Sequence, residues 1–359
     1  MSIYHFFYFQ YTMSTTAFTS IFSHVVSFGY TLFHDNERLD KCTRAMHNAC
    51  MTSIEETQRI FDVHSSVCFV RSYAKINLTL DVLGKGADGY HDLASIMQAV
   101  DLYDTLCLSP IPEDAVRIVC TRPELENESN LAFRAAQLVR QRLSLRRGVE
   151  IALDKHIPVA AGLGGGSSNA AAVLLALRQW WQLPLSSEEL LELAAMLGSD
   201  VPFFLSDGLA LCEGRGERVT PLLPYWPASM RWLLLLKPAI EVSTATVFRR
   251  LAPADYTSGV HTQAVHRVLQ TRGEPSLEDI HNSLERGVLD FYPEVAHAQA
   301  DMLRAGASLV RLSGSGPTLF APFAGLQRAT QVRDILHSQG YEVYLTRAVY
   351  PNAGNITTV

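Results

Sequence analysis

Between Arg71 and Leu83 apolar side chains at Ile76, Leu78, Leu80 and Val82 alternate with polar ones at Lys75, Asn77, Thr79 and Asp81, which predicts a half-buried strand. Gly84, Gly86 and Gly89 punctuate that run, a second strand-like stretch reaches Val100 and a third lies near Thr105–Leu108, the order of a hairpin or meander. From Asn130 the period becomes helical through Arg142, with Leu131, Phe133, Ala136 and Val139 on one face, and residues 148–153 read as a short strand. A second helix is expected over Asn169–Trp181. A third is expected over Ser187–Leu197, where Ser186 and Glu189 form a capping box and Gly198 is placed as the closing residue. Pro202 predicts an extended Val201. Later, a helix over Val295–Ala305 precedes a small-residue loop, Arg311–Thr318, and an apolar strand at Leu319–Ala321.

Three glycine-containing segments interrupt this pattern, and they differ in what they permit. Gly84-x-Gly86-x-x-Gly89 matches the dinucleotide-binding fingerprint letter for letter. That fingerprint needs a helix opening on its last glycine, and here Tyr90-His91-Asp92 leads into a strand-like run, so a Rossmann oxidoreductase is discounted. The segment Pro158-Val159-Ala160-Ala161-Gly162-Leu163-Gly164-Gly165-Gly166-Ser167-Ser168 is different, because a helix follows at once. Glycines let successive N–H groups converge, and a helix N-terminus adds unpaired donors and partial positive charge, which together suit the phosphates of ATP. No lysine follows the glycines, so this is not a Walker loop. Ser167 and Ser168 are open to three roles: helix cap, phosphate donor or Mg²⁺ ligand. The third segment, Ser313-Gly314-Ser315-Gly316, lies far along the chain and suggests a second lobe closing on the same ligand. Asp200 sits on a short connection where a carboxylate can orient or deprotonate a hydroxyl, although a turn aspartate would look the same in isolation.

Composition narrows the class. With 359 residues, 48% hydrophobic and 18% charged, the chain can build about two cored domains. A net charge of −6 with no Lys/Arg block disfavours nucleic-acid or anionic-membrane partners. The six cysteines contain no C-x-x-C pair, which argues against a disulfide framework or a cysteine zinc site and for a reducing compartment. No run of about 18 apolar residues predicts a membrane span. Residues 1–67 read as an N-terminal extension. Met1–His34 carries no Asp, Glu, Lys or Arg, and a start assigned too early is expected, with Met13, Met46 and Met51 as alternatives; a targeting or accessory segment and a structured part of the fold are the other readings. A helix is conceivable over His34–Ser66. Cytoplasmic location is expected, or a plastid only if the extension is a transit peptide.

Taken together, A-K-I-N at Ala74–Asn77, P-x-x-A-G-L-G-G-G-S-S at Pro158–Ser168 and S-G-S-G at Ser313–Gly316 resemble the three motifs of the GHMP kinases, the superfamily of galactokinase and of homoserine, mevalonate and phosphomevalonate kinases. The resemblance runs from Val70 to about Val349. Tyr73, Gly86-Ala87 and Pro317 depart from common residues without removing a reactive group. The resemblance implies an α+β, two-domain fold with the active site in the cleft between the lobes, the domains covering 68–226 and 227–355. A-D-G-Y-H-D-L at Ala87–Leu93 and G-S-D-V-P-F-F at Gly198–Phe204 narrow it to the branch that acts on a cytidine diphosphate-linked methylerythritol.

That branch implies ATP and Mg²⁺ as cofactors, a small-molecule acceptor, and a monomer or weak homodimer. It implies Lys75 and Asp200 as catalytic residues, and Pro158 with Ala161, Gly162, Leu163, Gly164, Gly165, Gly166, Ser167 and Ser168 as the ATP site, Ser168 also being a Mg²⁺ ligand. Asn77, Tyr90, His91, Phe248, Gly314 and Ser315 would contact the acceptor. Tyr90 would stack on cytosine, His91 would bond its edge, and Phe248 would face it from the other side. A sibling kinase would lack the preference for cytidine. A catalytically silent homologue would be expected to have lost Lys75 or Asp200, and both are present.

Overall fold

The structure is a computed structural model that describes residues 67–87, 89–351 and 356–358. The expectations for the N-terminal extension, including its start, its helix, Cys42 and Cys50, lie outside the described residues.

The first sheet contains β1 (Cys68–Asn77), β2 (Asp81–Lys85), β3 (His91–Ile111), β4 (Val116–Cys120), β5 (Gly148–Asp154), β6 (Leu209–Gly214) and β7 (Arg218–Pro221). The expected single strand over Arg71–Leu83 is two strands, broken at Leu78–Leu80, and both its faces are buried from Ala74 to Val82. Conversely, the two strands expected up to Leu108 are one 21-residue strand. A register shift against Tyr73/Ala74 lets β3 bend, so its first half pairs with β2 and β6 and its second half with β5. The Gly84–Gly89 segment is the β2–β3 hairpin turn, which removes the Rossmann reading.

Three helices cover one face of this sheet: α1 (Leu131–Arg142), α2 (Gly165–Trp180) and α3 (Ser187–Leu197). Asn130 caps α1 by accepting from Ala132 N–H, and the predicted Ser186/Glu189 capping box is present on α3. Helix α2 begins four residues earlier than expected. Gly164, at φ +69°, is its N-cap, so Gly165 and Gly166 are helical rather than loop and neither serine is the cap. Gly198 closes α3 as expected, in extended backbone at φ 167° and with its N–H donating to Ala194 O. One local expectation fails: Val201 is helical (φ −63°, ψ −42°) because a 3₁₀ turn at Pro202–Leu205 begins on it. Tertiary burial of Val201 and Phe203 overrides the local preference before proline.

The second sheet has the order β11-β8-β10-β9, from β8 (Trp232–Lys237), β9 (Arg311–Leu312), β10 (Leu319–Phe323) and β11 (Glu342–Thr346). With it go α4 (Thr244–Arg249), α5 (Val260–Gln270), α6 (Glu285–Phe291), α7 (Pro293–Ala305) and α8 (Leu326–Ser338). Strand β8 reads W-L-L-L-L-K because both its faces are covered. Leu234 and Leu236 pack with Val295, Ala298 and Val332 of α7 and α8, while Leu233 and Leu235 pack with Ile76, Leu78 and Ile96 of the first sheet. That shared core joins the two sheets. A last strand, β12 (Ile356–Thr358), returns to pair with β1. Cys68, Cys107, Cys120 and Cys212 are buried. Among the described residues no helix is long and apolar enough to cross a membrane.

Candidate active site

A cavity of about 960 Å³ opens between the sheets. Its floor is the end of β1. Lys75 is almost fully buried, and its Nζ donates to Asn77 Oδ1 at 2.6 Å and stands 3.5 Å from Asp200 Oδ2. Asn77 in turn donates to Ser95 Oγ at 2.8 Å, and that hydroxyl donates to the Thr79 carbonyl at 2.5 Å. Every polar atom of this chain is therefore aimed, and the ammonium is held between an amide oxygen and a carboxylate.

The glycine loop closes one side. Lys75 N–H donates to Leu163 O at 2.9 Å, which pins the loop against β1. Gly162 has φ +74°, and a Cβ there would lie 2.4 Å from Ser313 O. Glycine thus allows the second and third motifs to touch, and the Ser313 hydroxyl donates to Gly162 O at 3.1 Å. The third loop is held from behind by Asn282, whose Nδ2 donates to the Leu312 and Gly314 carbonyls, both at 2.8 Å. Gly314 consequently comes so close to the floor that a Cβ would stand 3.1 Å from Asn77 Oδ1 and 3.3 Å from Lys75 Nζ.

A buried carboxylate underlies the loop. Asp104 on β3 is inaccessible, and its Oδ1 accepts from the N–H groups of His156 and Ile157, each at 2.7 Å. Its Oδ2 accepts from Lys155 Nζ at 2.6 Å and Asn169 Nδ2 at 2.8 Å. One side chain thereby ties the entry of the loop to the first turns of α2. Burial pushes the Lys155 pKa down, opposed by the Asp104 charge. Sequence reading missed Asp104, Lys155 and Asn282, whose partners lie 51 and 32 residues away. For Lys155 the one available signal was its place just before Ile157-Pro158.

Of the residues expected from sequence, Lys75, Asn77, Tyr90, His91, Pro158, Ala161, Gly162, Leu163, Gly164, Gly165, Gly166, Ser167, Asp200, Phe248, Gly314 and Ser315 all line this cavity. Ser168 does not. One step further round α2 it is buried and lines a separate pocket with Ser72 and Phe203, so Ser167 carries the hydroxyl that faces the cavity. The aromatic end also differs from expectation. His91 packs directly on Phe248, ring centroids 5.4 Å apart, and edge-on to Tyr256 at 5.9 Å. Tyr90 is 58% exposed, with the Arg215 guanidinium 4.9 Å above its ring. Burial, assisted by Lys85, lowers the His91 pKa below the ordinary histidine value. Among the described residues five basic side chains line the cavity (Lys75, Lys85, Lys155, Arg215 and Arg249) against two acidic ones, Glu124 and Asp200. A net-acidic chain thus presents a cationic pocket, and the cradle is not built from backbone groups and Lys75 alone.

Residues 130–208 match the N-terminal domain of GHMP kinases and residues 267–342 their C-terminal domain. The 4-diphosphocytidyl-2-C-methyl-D-erythritol kinase of Geobacillus thermodenitrificans (strain NG80-2) is 43% identical over 281 residues, which is 77% of this chain and 96% of that protein. The chain belongs to the GHMP kinases. The kinase of the same name from Pelotomaculum thermopropionicum is 42% identical over 280 residues, again 77% and 96% of the two chains. A crystal structure of 4-(cytidine 5′-diphospho)-2C-methyl-D-erythritol kinase superposes with a TM-score of 0.68 at 32% identity, covering 79% of this chain and all of that one. Homoserine kinase from Cytophaga hutchinsonii shares the fold at 18% identity, with a TM-score of 0.63 and coverage of 84% and 99%. The protein is therefore a small-molecule kinase with the two-domain α+β fold of its family, whose members take the phosphoryl group from ATP.

Proposed function

We propose that the protein transfers the γ-phosphoryl group of ATP to the 2-hydroxyl of 4-diphosphocytidyl-2-C-methyl-D-erythritol, giving ADP and the 2-phosphate in the non-mevalonate isoprenoid pathway. The observation that carries this reading is the gathering of three groups in one cavity. The same cavity is lined by the glycine run Leu163–Ser167, the Lys75–Asp200 pair and the His91–Phe248 pair. Relatives bearing that enzyme's name, more than 40% identical over most of the chain, support it.

Phosphoryl transfer depends on alignment and on neutralising charge. In this reading Gly164–Ser167 receive the ATP phosphates on the opening N–H groups of α2. Asp200 orients the acceptor hydroxyl and takes its proton late in the transfer, since a free alkoxide is too basic to form beforehand. Lys75 offsets charge developing between nucleophile and phosphate. Asn77 keeps the ammonium aimed, and Gly314 and Ser315 close over the acceptor diphosphate. His91 reads the edge of the cytosine and Tyr90 offers a stacking face. Because His91 and Phe248 already touch, the base would lie along this wall rather than between those two rings.

Mg²⁺ takes oxygen ligands and usually keeps only one or two from protein beside the phosphates. The Ser167 hydroxyl and the Asp200 carboxylate are oxygen donors on the cavity wall and fit that requirement, whereas buried Ser168 does not. Bound there, the ion would neutralise phosphate charge.

A coupled ADP-release assay tests the assignment. Turnover is expected with the cytidyl acceptor and not with mevalonate, homoserine or galactose. Turnover with one of those three and none with the cytidyl compound would overturn it.

A further inference from the structure

Asp81, the first residue of β2, is completely buried and is not among the residues lining the cavity. Its Oδ1 accepts from the Thr257 hydroxyl and its Oδ2 from Thr262 N–H, both at 2.7 Å. Both donors are neutral. No lysine, arginine or histidine nitrogen among the described residues lies within 4.0 Å of this carboxylate. A buried carboxylate without a counter-charge is costly, so its surroundings matter.

Two imidazoles adjoin it. The rings of His261, in the first turn of α5, and His281 stack with centroids 4.2 Å apart. One ligand atom from each of Asp81, His261 and His281 lies within 4.8 Å of the others. His261 Nδ1 is buried and has no hydrogen-bond partner, with Asp279 Oδ1 3.8 Å away. His281 Nε2 stands 3.4 Å from the Ser283 hydroxyl.

We propose that Asp81, His261 and His281 form a binding site for a divalent transition metal of the zinc class, distinct from the kinase cavity. Two imidazoles and one carboxylate are a donor set that zinc accepts. Zinc bonds of about 2.0–2.1 Å in tetrahedral geometry place ligand atoms roughly 3.3–3.5 Å apart, so the three side chains need to close by little more than an ångström. The ion supplies the charge that Asp81 lacks. Asp279 is positioned to serve as a further oxygen donor or to orient His261.

The three ligands come from segments far apart in the sequence, so the metal acts as a cross-link. Leu80 N–H donates to His281 O at 2.7 Å, and the next residue, Asn282, holds the Gly314 carbonyl. A metal here braces the loop that closes the kinase cavity without touching substrate.

The test uses the full chain, stripped with chelator, incubated with Zn²⁺ alone, desalted and assayed for bound metal. About one zinc per chain is expected, with a raised melting temperature. His261→Gln and His281→Gln should each weaken zinc affinity about tenfold or more, while His297→Gln, away from the site, retains it. Co²⁺ should give the intense visible bands of a low-coordinate N/O site. No retained zinc and no thermal shift in the wild type would overturn the proposal. So would a double His261→Gln/His281→Gln variant that binds as much as the wild type, because the metal would then sit elsewhere. If the double variant does not fold, His261→Gln alone, at a half-buried position, decides between the same two outcomes.

Discussion

Lys75 Nζ lies 3.5 Å from Asp200 Oδ2, and the contact joins the end of β1 to the turn after α3. The lysine is nearly inaccessible and the carboxylate one-third exposed, so on the proposed mechanism Asp200 is the member of the pair that meets the hydroxyl. Asp200→Ala is expected to lower kcat by roughly two to four orders of magnitude, with both KM values changing only a few-fold. Steady-state ADP release checks this, and near-normal turnover would remove Asp200 from the chemistry.

Gly162→Ala should be disruptive beyond its one methyl group. The position has positive φ and its Cβ would press on the Ser313 carbonyl, so either the loops separate or the backbone strains. A loss of more than about 1 kcal/mol in denaturant unfolding is expected, together with a sharp fall in kcat/KM. A variant as stable and active as the parent would show that the contact between these two loops is dispensable.

Asp104→Asn removes the charge that Lys155 needs in a buried place. Breaking such a pair costs about 3–5 kcal/mol, which unfolding curves would resolve. The damage should also be directional. KM for ATP should rise more than KM for the acceptor, because Asp104 organises the entry to the glycine loop and not the aromatic wall. An equal rise in both would argue that Asp104 acts only through global stability.

His91 gives a pH prediction. Its pKa is lowered by burial and by Lys85, so its half-protonation falls below the ordinary histidine value of about 6.5. Acceptor KM should therefore rise with an inflection below that value, and His91→Ala should abolish the inflection. An inflection above 6.5 would contradict the assignment of base recognition to a desolvated His91.

Much of the site is legible in the sequence because it is local. The glycine run before a helix, the Tyr90-His91 pair and the A-K-I-N strand end each carry their chemistry within a dozen residues, and the cavity collects all of them except Ser168. What escapes is long-range. Asp104 cannot be told from any other strand aspartate until Lys155, His156 and Asn169 surround it, and Asn282 acquires meaning only when the Gly314 carbonyl arrives. The same limit explains where the fold departs from expectation. The chain from Ile76 to Val82 alternates perfectly but is buried on both faces, so its pattern could not show the break at Leu78–Leu80. Val201 is helical rather than extended because packing outweighs the preference of a residue preceding proline.

By itself, then, the amino-acid sequence determined the Asn130 cap, the Ser186/Glu189 capping box and the glycine run that leads into α2, since these follow from backbone sterics and hydrogen bonding between near neighbours. Tertiary structure alone decided which serine of Ser167 and Ser168 faces the cavity, and that five cations gather in an acidic protein. It also brought Asp104 beneath the loop and Asp81 beside two histidines. Such groupings depend on which surfaces meet when β1, β3 and β8 share a core, and no short stretch of chain encodes that meeting.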